Sequence, residues 1–149
     1  MVTEMIMKQD KIALAKILTY SGTLPLIASA VCIYFSVNGF DTALIARTYS
    51  AIIISFLCGI HWAVYLCFAE KCPRNLMITS NVVALLAWAS LLATKPPVAI
   101  TSQALGFLYL LTLDLKLLDA GILPHWFYSL RRNATIIVVL CLAVIAGHL

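Results

Sequence analysis

Ala51-Ile52-Ile53-Ile54-Ser55-Phe56-Leu57-Cys58-Gly59-Ile60-His61-Trp62-Ala63-Val64-Tyr65-Leu66 decides how the rest of the chain is read. No Lys, Arg, Asp or Glu occurs between Arg47 and Glu70, a stretch that a hydrocarbon layer can accept. A bilayer core is about 30 Å thick and takes roughly 20 apolar residues of helix. A membrane span over about 44–69 is therefore predicted.

Working outward, the same criterion gives four more pieces, about 12–37, 76–93, 98–118 and 134–147. Their separators are turn-forming: Asn38-Gly39-Phe40-Asp41, Glu70-Lys71-Cys72-Pro73-Arg74-Asn75 and Thr94-Lys95-Pro96-Pro97. Short links between antiparallel neighbours predict an all-α, up-and-down integral membrane bundle of five transmembrane helices forming one domain over 1–149. Composition agrees, since 63% of residues are hydrophobic and 11% charged, against roughly half and a quarter in soluble domains. A soluble core of this length cannot hide so much apolar surface.

The basic residues orient the bundle. With the N-terminus inside, Lys8, Lys11, Lys16, Lys71, Arg74, Lys116, Arg131 and Arg132 face the interior compartment, leaving Arg47 and Lys95 outside with the C-terminus. Placed between apolar runs, these charges suit anionic lipid and exclude nucleic acid, which needs a basic stripe on a solvated face. Ala28-Ser29-Ala30 resembles a signal cleavage site, but the apolar run continues to Val37 and Pro25 interrupts the would-be signal core. The five cysteines, an odd number, imply no disulfide framework.

Gly22-Thr23-Leu24-Pro25-Leu26 and Tyr49-Ser50-Ala51-Ile52-Ile53-Ile54-Ser55-Phe56-Leu57-Cys58-Gly59-Ile60-His61-Trp62 together resemble domain-of-unknown-function family 3429, small membrane proteins that include mitochondrial transmembrane protein 69. The resemblance continues through Asp114 and Pro124-His125-Trp126-Phe127-Tyr128-Ser129-Leu130-Arg131, covering nearly the whole chain. Cys58 stands where the family pattern has a second glycine, a change that touches packing more than chemistry. What the resemblance implies is a location in a bacterial or mitochondrial inner membrane, and no activity.

Several residues carry the functional expectations. Ala51, Ser55, Gly59 and Ala63 recur every four positions and form a ridge of small side chains against which another helix can approach closely, the alternative being a ligand groove. His61 lies within the second span, where an ionisable group must face protein or a water-filled cavity. It can hydrogen-bond a neighbouring helix or relay a proton. Asp114, within Leu110-Leu111-Thr112-Leu113-Asp114-Leu115, needs an interior partner, because Lys116 can snorkel outward and pair with Asp119. By helical rise both His61 and Asp114 fall in the inner half of the layer, several ångströms apart in depth. A direct contact then requires tilt or long side chains, with water as the other bridge.

The connection from Asp119 to Asn133 reads as an interfacial segment between spans four and five. Trp126 and Tyr128 suit the headgroup layer, and Arg131 and Arg132 can engage lipid phosphate or a carboxylate. Cys58 and His61 share a helix face, but no four-ligand metal motif is completed, and no haem or other cofactor is predicted. Soluble-enzyme motifs are missing too. The leading expectation is a non-enzymatic accessory, assembly or interaction protein that packs against lipid, other membrane subunits or a second copy of itself. A proton-coupled carrier built on His61 and Asp114 is the second expectation. The third is a lipid- or quinone-binding protein or enzyme using the same pair with Arg131.

Overall fold

The computed structural model describes residues 2–37, 39 and 41–149, with side chains from residue 9 onward. Asn38 and Phe40 of the first separator, and the side chain of Lys8, lie outside the described residues. The chain forms α1 (Val2–Ser21), α2 (Leu24–Tyr34), α3 (Thr42–Phe68), a short 3-10 turn (Ala69–Lys71), α4 (Leu76–Ser90), α5 (Pro96–Asp119) and α6 (His125–Gly147). Four segments have the length and apolar character to cross a membrane: Gln9–Tyr34, Thr42–Lys71, Pro96–Asp119 and His125–Gly147.

Three boundaries differ from the sequence reading. The first span is broken into α1 and α2, because Pro25 has no N–H to donate and the turn at Gly22 and Thr23 replaces the regular ladder. At the break the Thr23 N–H and hydroxyl both donate to the Tyr20 carbonyl, at 3.0 and 2.7 Å, and the Tyr49 hydroxyl of α3 donates to the Gly22 carbonyl at 2.9 Å. Second, α4 stops at Ser90, short of residue 93, and its 15 residues rise only about 22 Å. Leu91, Leu92 and Ala93 instead make i→i−3 bonds to Trp88, Ala89 and Ser90, a 3-10-like unwinding before Pro96 and Pro97.

Third, the anticipated interfacial segment is not a separate piece. Pro124 caps a single helix that runs unbroken from His125 to Gly147, so Trp126, Tyr128, Arg131 and Arg132 occupy its first two turns. The reversal before it is a Schellman cap. Ile122 donates to the Leu117 carbonyl and Gly121 to the Leu118 carbonyl, both at 2.9 Å, with Gly121 at φ 71. Gly121 relieves the Cβ clash that this left-handed conformation imposes on other residues.

Side-chain caps start two other helices. Asp41 accepts from the Leu44 N–H at 2.9 Å and Asn75 from the Ile78 N–H at 3.2 Å. Packing centres on α5, whose Phe107, Leu110, Leu113 and Leu117 are buried against Ile54 and Leu57 of α3 and Leu142 and Ile145 of α6. The exterior is the reverse of a soluble protein's. Ile52, Phe56, Leu66, Leu85, Leu86, Leu105 and Leu140 are each more than 60% exposed, whereas Ser50, His61, Gln103, Asp114 and Thr135 are buried. Hydrocarbon solvates such an apolar exterior and leaves polar groups to satisfy one another inside.

Candidate functional site

Three helices converge on one carboxylate. His61 from α3 meets Asp114 from α5, Nε2 to Oδ1 at 2.8 Å, and Arg131 from α6 donates from Nε to Oδ2 at 3.1 Å. Asp114 is 3% exposed, His61 2% and Arg131 9%. Each oxygen of the carboxylate thus has its own donor, and the negative charge faces a guanidinium, the fixed-charge partner suited to a buried site.

Local structure explains the meeting. Asp114 lies a little over one turn before the end of α5, and Arg131 just under two turns into α6. The tight cap at Gly121 folds these two segments against each other, bringing the charges to one level. Arg131 turns inward while Arg132, about 100° further round the helix, remains exposed. Arg131 therefore engages a carboxylate, and Trp126 and Tyr128 are half-buried nearer the helix start.

A second inter-helix bond sets the register of α3 against α5. Gln103 donates from Nε2 to the Arg47 carbonyl and to Ser90 Oγ, each at 2.9 Å. From that level Arg47 to His61 rises about 21 Å and Gln103 to Asp114 about 17 Å, a difference that side-chain length absorbs. The several ångströms of depth expected between His61 and Asp114 are thus closed by this offset of α5 against α3 and by side-chain reach.

With Nε2 given to Asp114, the other imidazole nitrogen of His61, Nδ1, is buried without a partner. Nearby, a cavity of about 160 Å³ lies between the α1/α2 break, α3, α5 and α6, with Gly22, Thr23, Leu57, Phe107, Arg131 and Thr135 in its wall. The cluster can thus fix three helices by charge and hydrogen bonding, and it retains one buried imidazole nitrogen without a partner. Among the described residues no three His, Cys, Asp or Glu side chains gather as a metal set.

The small-residue ridge divides. Ala51 is buried, whereas Ser55, Gly59 and Ala63 are exposed. A Cβ added at Gly59 meets nothing within 4 Å, so among the described residues no helix uses the closest-approach position of the ridge. The geometry follows from His61, because residues two positions away lie about 200° round the helix. Holding His61 against Asp114 turns Gly59 and Ala63 to the opposite, outer face.

Sequence reasoning undervalued Arg131 and missed Gln103. A carboxamide inside the apolar run Val98 to Leu118 was the available signal for the latter.

No curated protein and no solved structure matches the chain significantly. The family model described as "protein of unknown function (DUF3429)" matches residues 12–147, nearly the entire sequence, and the chain belongs to that family.

Proposed function

We propose that this chain is a non-enzymatic, five-span interaction protein of the bacterial or mitochondrial inner membrane, with its N-terminus inside, acting as an accessory or assembly factor for other membrane subunits. One observation carries the reading: Gly59 has open space on the outer face of α3, opposite the imidazole that Asp114 fixes. In lipid, helices associate through close van der Waals contact along small residues. The Ser55–Gly59–Ala63 face offers that contact, and the His61–Asp114–Arg131 cluster keeps it turned outward. With almost no mass outside the apolar helices, a helix face is the surface on which a partner can be recognised.

Purification in mild detergent followed by native mass spectrometry tests this. The wild-type chain is expected to carry a second copy or another membrane protein, and Gly59→Leu to lose it by steric block. An unchanged partner profile in Gly59→Leu overturns the proposal.

The unpartnered Nδ1 of His61 and the cavity beside Arg131 favour a second reading, a proton-coupled carrier in which His61 takes up the proton. Proteoliposomes loaded with a pH-sensitive dye should then acidify more slowly with His61→Gln/Asp114→Asn than with wild type. Equal rates remove this reading.

A further inference from the structure

The Arg131 guanidinium is only partly engaged. An arginine carries five N–H donors. Nε donates to Asp114 Oδ2, and the two terminal nitrogens donate to no described residue. The described side-chain atoms that are both unbonded and sealed from a molecule the size of water are Arg47 Nε, Ser50 Oγ, His61 Nδ1 and Gln103 Oε1. The terminal nitrogens of Arg131 are therefore unbonded but reachable, although the residue is only 9% exposed.

The side from which they are reached follows from helix geometry. Phe127, Arg131, Ala134, Thr135 and Val138 all line the cavity of about 160 Å³ beside the α1/α2 break, and their spacing is that of one face of α6. Arg131 thus leaves its helix toward this space. Unmade hydrogen bonds on a buried cation are an energetic defect that a ligand acceptor repairs.

Charge and access narrow the ligand. Asp114 already neutralises Arg131, so a carboxylate or phosphate would bring an uncompensated charge into a buried site. An alcohol would need an acceptor for its own proton, and both Asp114 oxygens already hold a donor. A carbonyl oxygen accepts without either cost. Leu18 and Phe56, at 62% and 66% exposed, are wall residues on the lipid-facing side, so the cavity is entered from hydrocarbon. Arg131 lies about 9 Å into α6 and Leu18 about 13 Å into the span that begins at Gln9, deeper than the headgroup level of phospholipids. A cavity of about 150 Å³ holds benzene, so a six-membered ring fits here, with Phe107 and Phe127 in the wall.

We infer that this cavity binds the carbonyl head of a neutral, membrane-soluble molecule, the carbonyl oxygen accepting from the terminal nitrogens of Arg131 and the hydrocarbon tail leaving past Leu18 and Phe56. Quinones and neutral acyl esters share this chemistry. Binding there requires neither a partner at Gly59 nor proton movement at His61.

Purified protein is tested by scintillation proximity with tritiated decyl-trimethylbenzoquinone, whose fully substituted ring does not alkylate cysteine, and with tritiated methyl laurate. The controls replace carbonyl by ether: the hydroquinone dimethyl ether for the first and methyl dodecyl ether for the second. At least one carbonyl probe is expected to bind saturably and at least about tenfold more tightly than its ether, and the probe that does so identifies the source. In Asp114→Leu/Arg131→Leu that preference should vanish. Leu18→Trp and Thr19→Phe, which fill the cavity from its α1 wall, should each abolish binding while circular dichroism stays unchanged. Saturable binding by neither probe, equal affinity for the ethers, a preference retained in the folded double variant, or wild-type binding in both filled variants overturns the inference.

Discussion

Replacing Asp114 with alanine should be among the most damaging single changes in this chain. The substitution removes acceptors at 2.8 Å from His61 and 3.1 Å from Arg131, leaving a guanidinium whose side chain is 11% exposed with no counter-charge. Breaking one side of a buried ion pair costs about 3–5 kcal/mol. Arg131 borders a cavity that water can enter, which argues for the lower end, about 3 kcal/mol. By the scaling of domains of similar length, that corresponds to a fall in Tm of roughly 6–12 °C.

Removing both charges in Asp114→Leu/Arg131→Leu should recover most of the loss, because a buried pair replaced by apolar groups is often nearly neutral. Unfolding in mixed micelles, followed by far-ultraviolet circular dichroism, gives the double-mutant cycle with Asp114→Leu and Arg131→Leu as its single variants. A coupling of at least about 2 kcal/mol is expected for partners in direct contact. Additive single costs, or a loss below about 1 kcal/mol for Asp114→Ala, would refute the reasoning.

Other outcomes follow from individual contacts. Tyr49→Phe removes the donor to the Gly22 carbonyl at the α1/α2 break and should cost about 1 kcal/mol, with faster hydrogen exchange at Thr23 and Leu26 as the local sign. Ser36 ends α2 at φ 52, where glycine carries no Cβ penalty, so Ser36→Gly should raise stability by up to about 1 kcal/mol in the same unfolding assay. Burial pushes the Cys72 thiol up, so its alkylation by N-ethylmaleimide should be slower near pH 8 than in the unfolded chain. That gap should close as pH rises and the thiolate forms. The stability associated with keeping the thiol neutral is full below the unfolded thiol's range and is lost above it.

The spans were legible because charge is scarce: the run from Ala51 to Leu66 forms helix as read, and Asp41 and Asn75 cap where polar separators were seen. Helix endings were less legible. One continuous span over about 12–37 was expected despite Pro25, and the bond from Tyr49 of α3 to the Gly22 carbonyl at the break is a contact that no local pattern encodes. The same limit applies to α6. Trp126, Tyr128 and the arginine pair have the composition of an interfacial segment, and only the location of Asp114 turns Arg131 inward. His61 and Asp114 stood out as ionisable groups in apolar runs, but their contact depended on a helix offset set by Gln103 and Arg47.

Solid-state NMR in lipid bilayers tests the closure of α3, α5 and α6 on one carboxylate most directly. With imidazole nitrogen-15 and aspartate carboxyl carbon-13 labels, His61 Nε2 should show a strong dipolar contact to the Asp114 carboxyl, as its 2.8 Å N to O separation requires. That contact should vanish in Asp114→Ala. An imidazole at position 61 with no carboxyl contact and magnetisation exchange to lipid acyl protons would contradict the account.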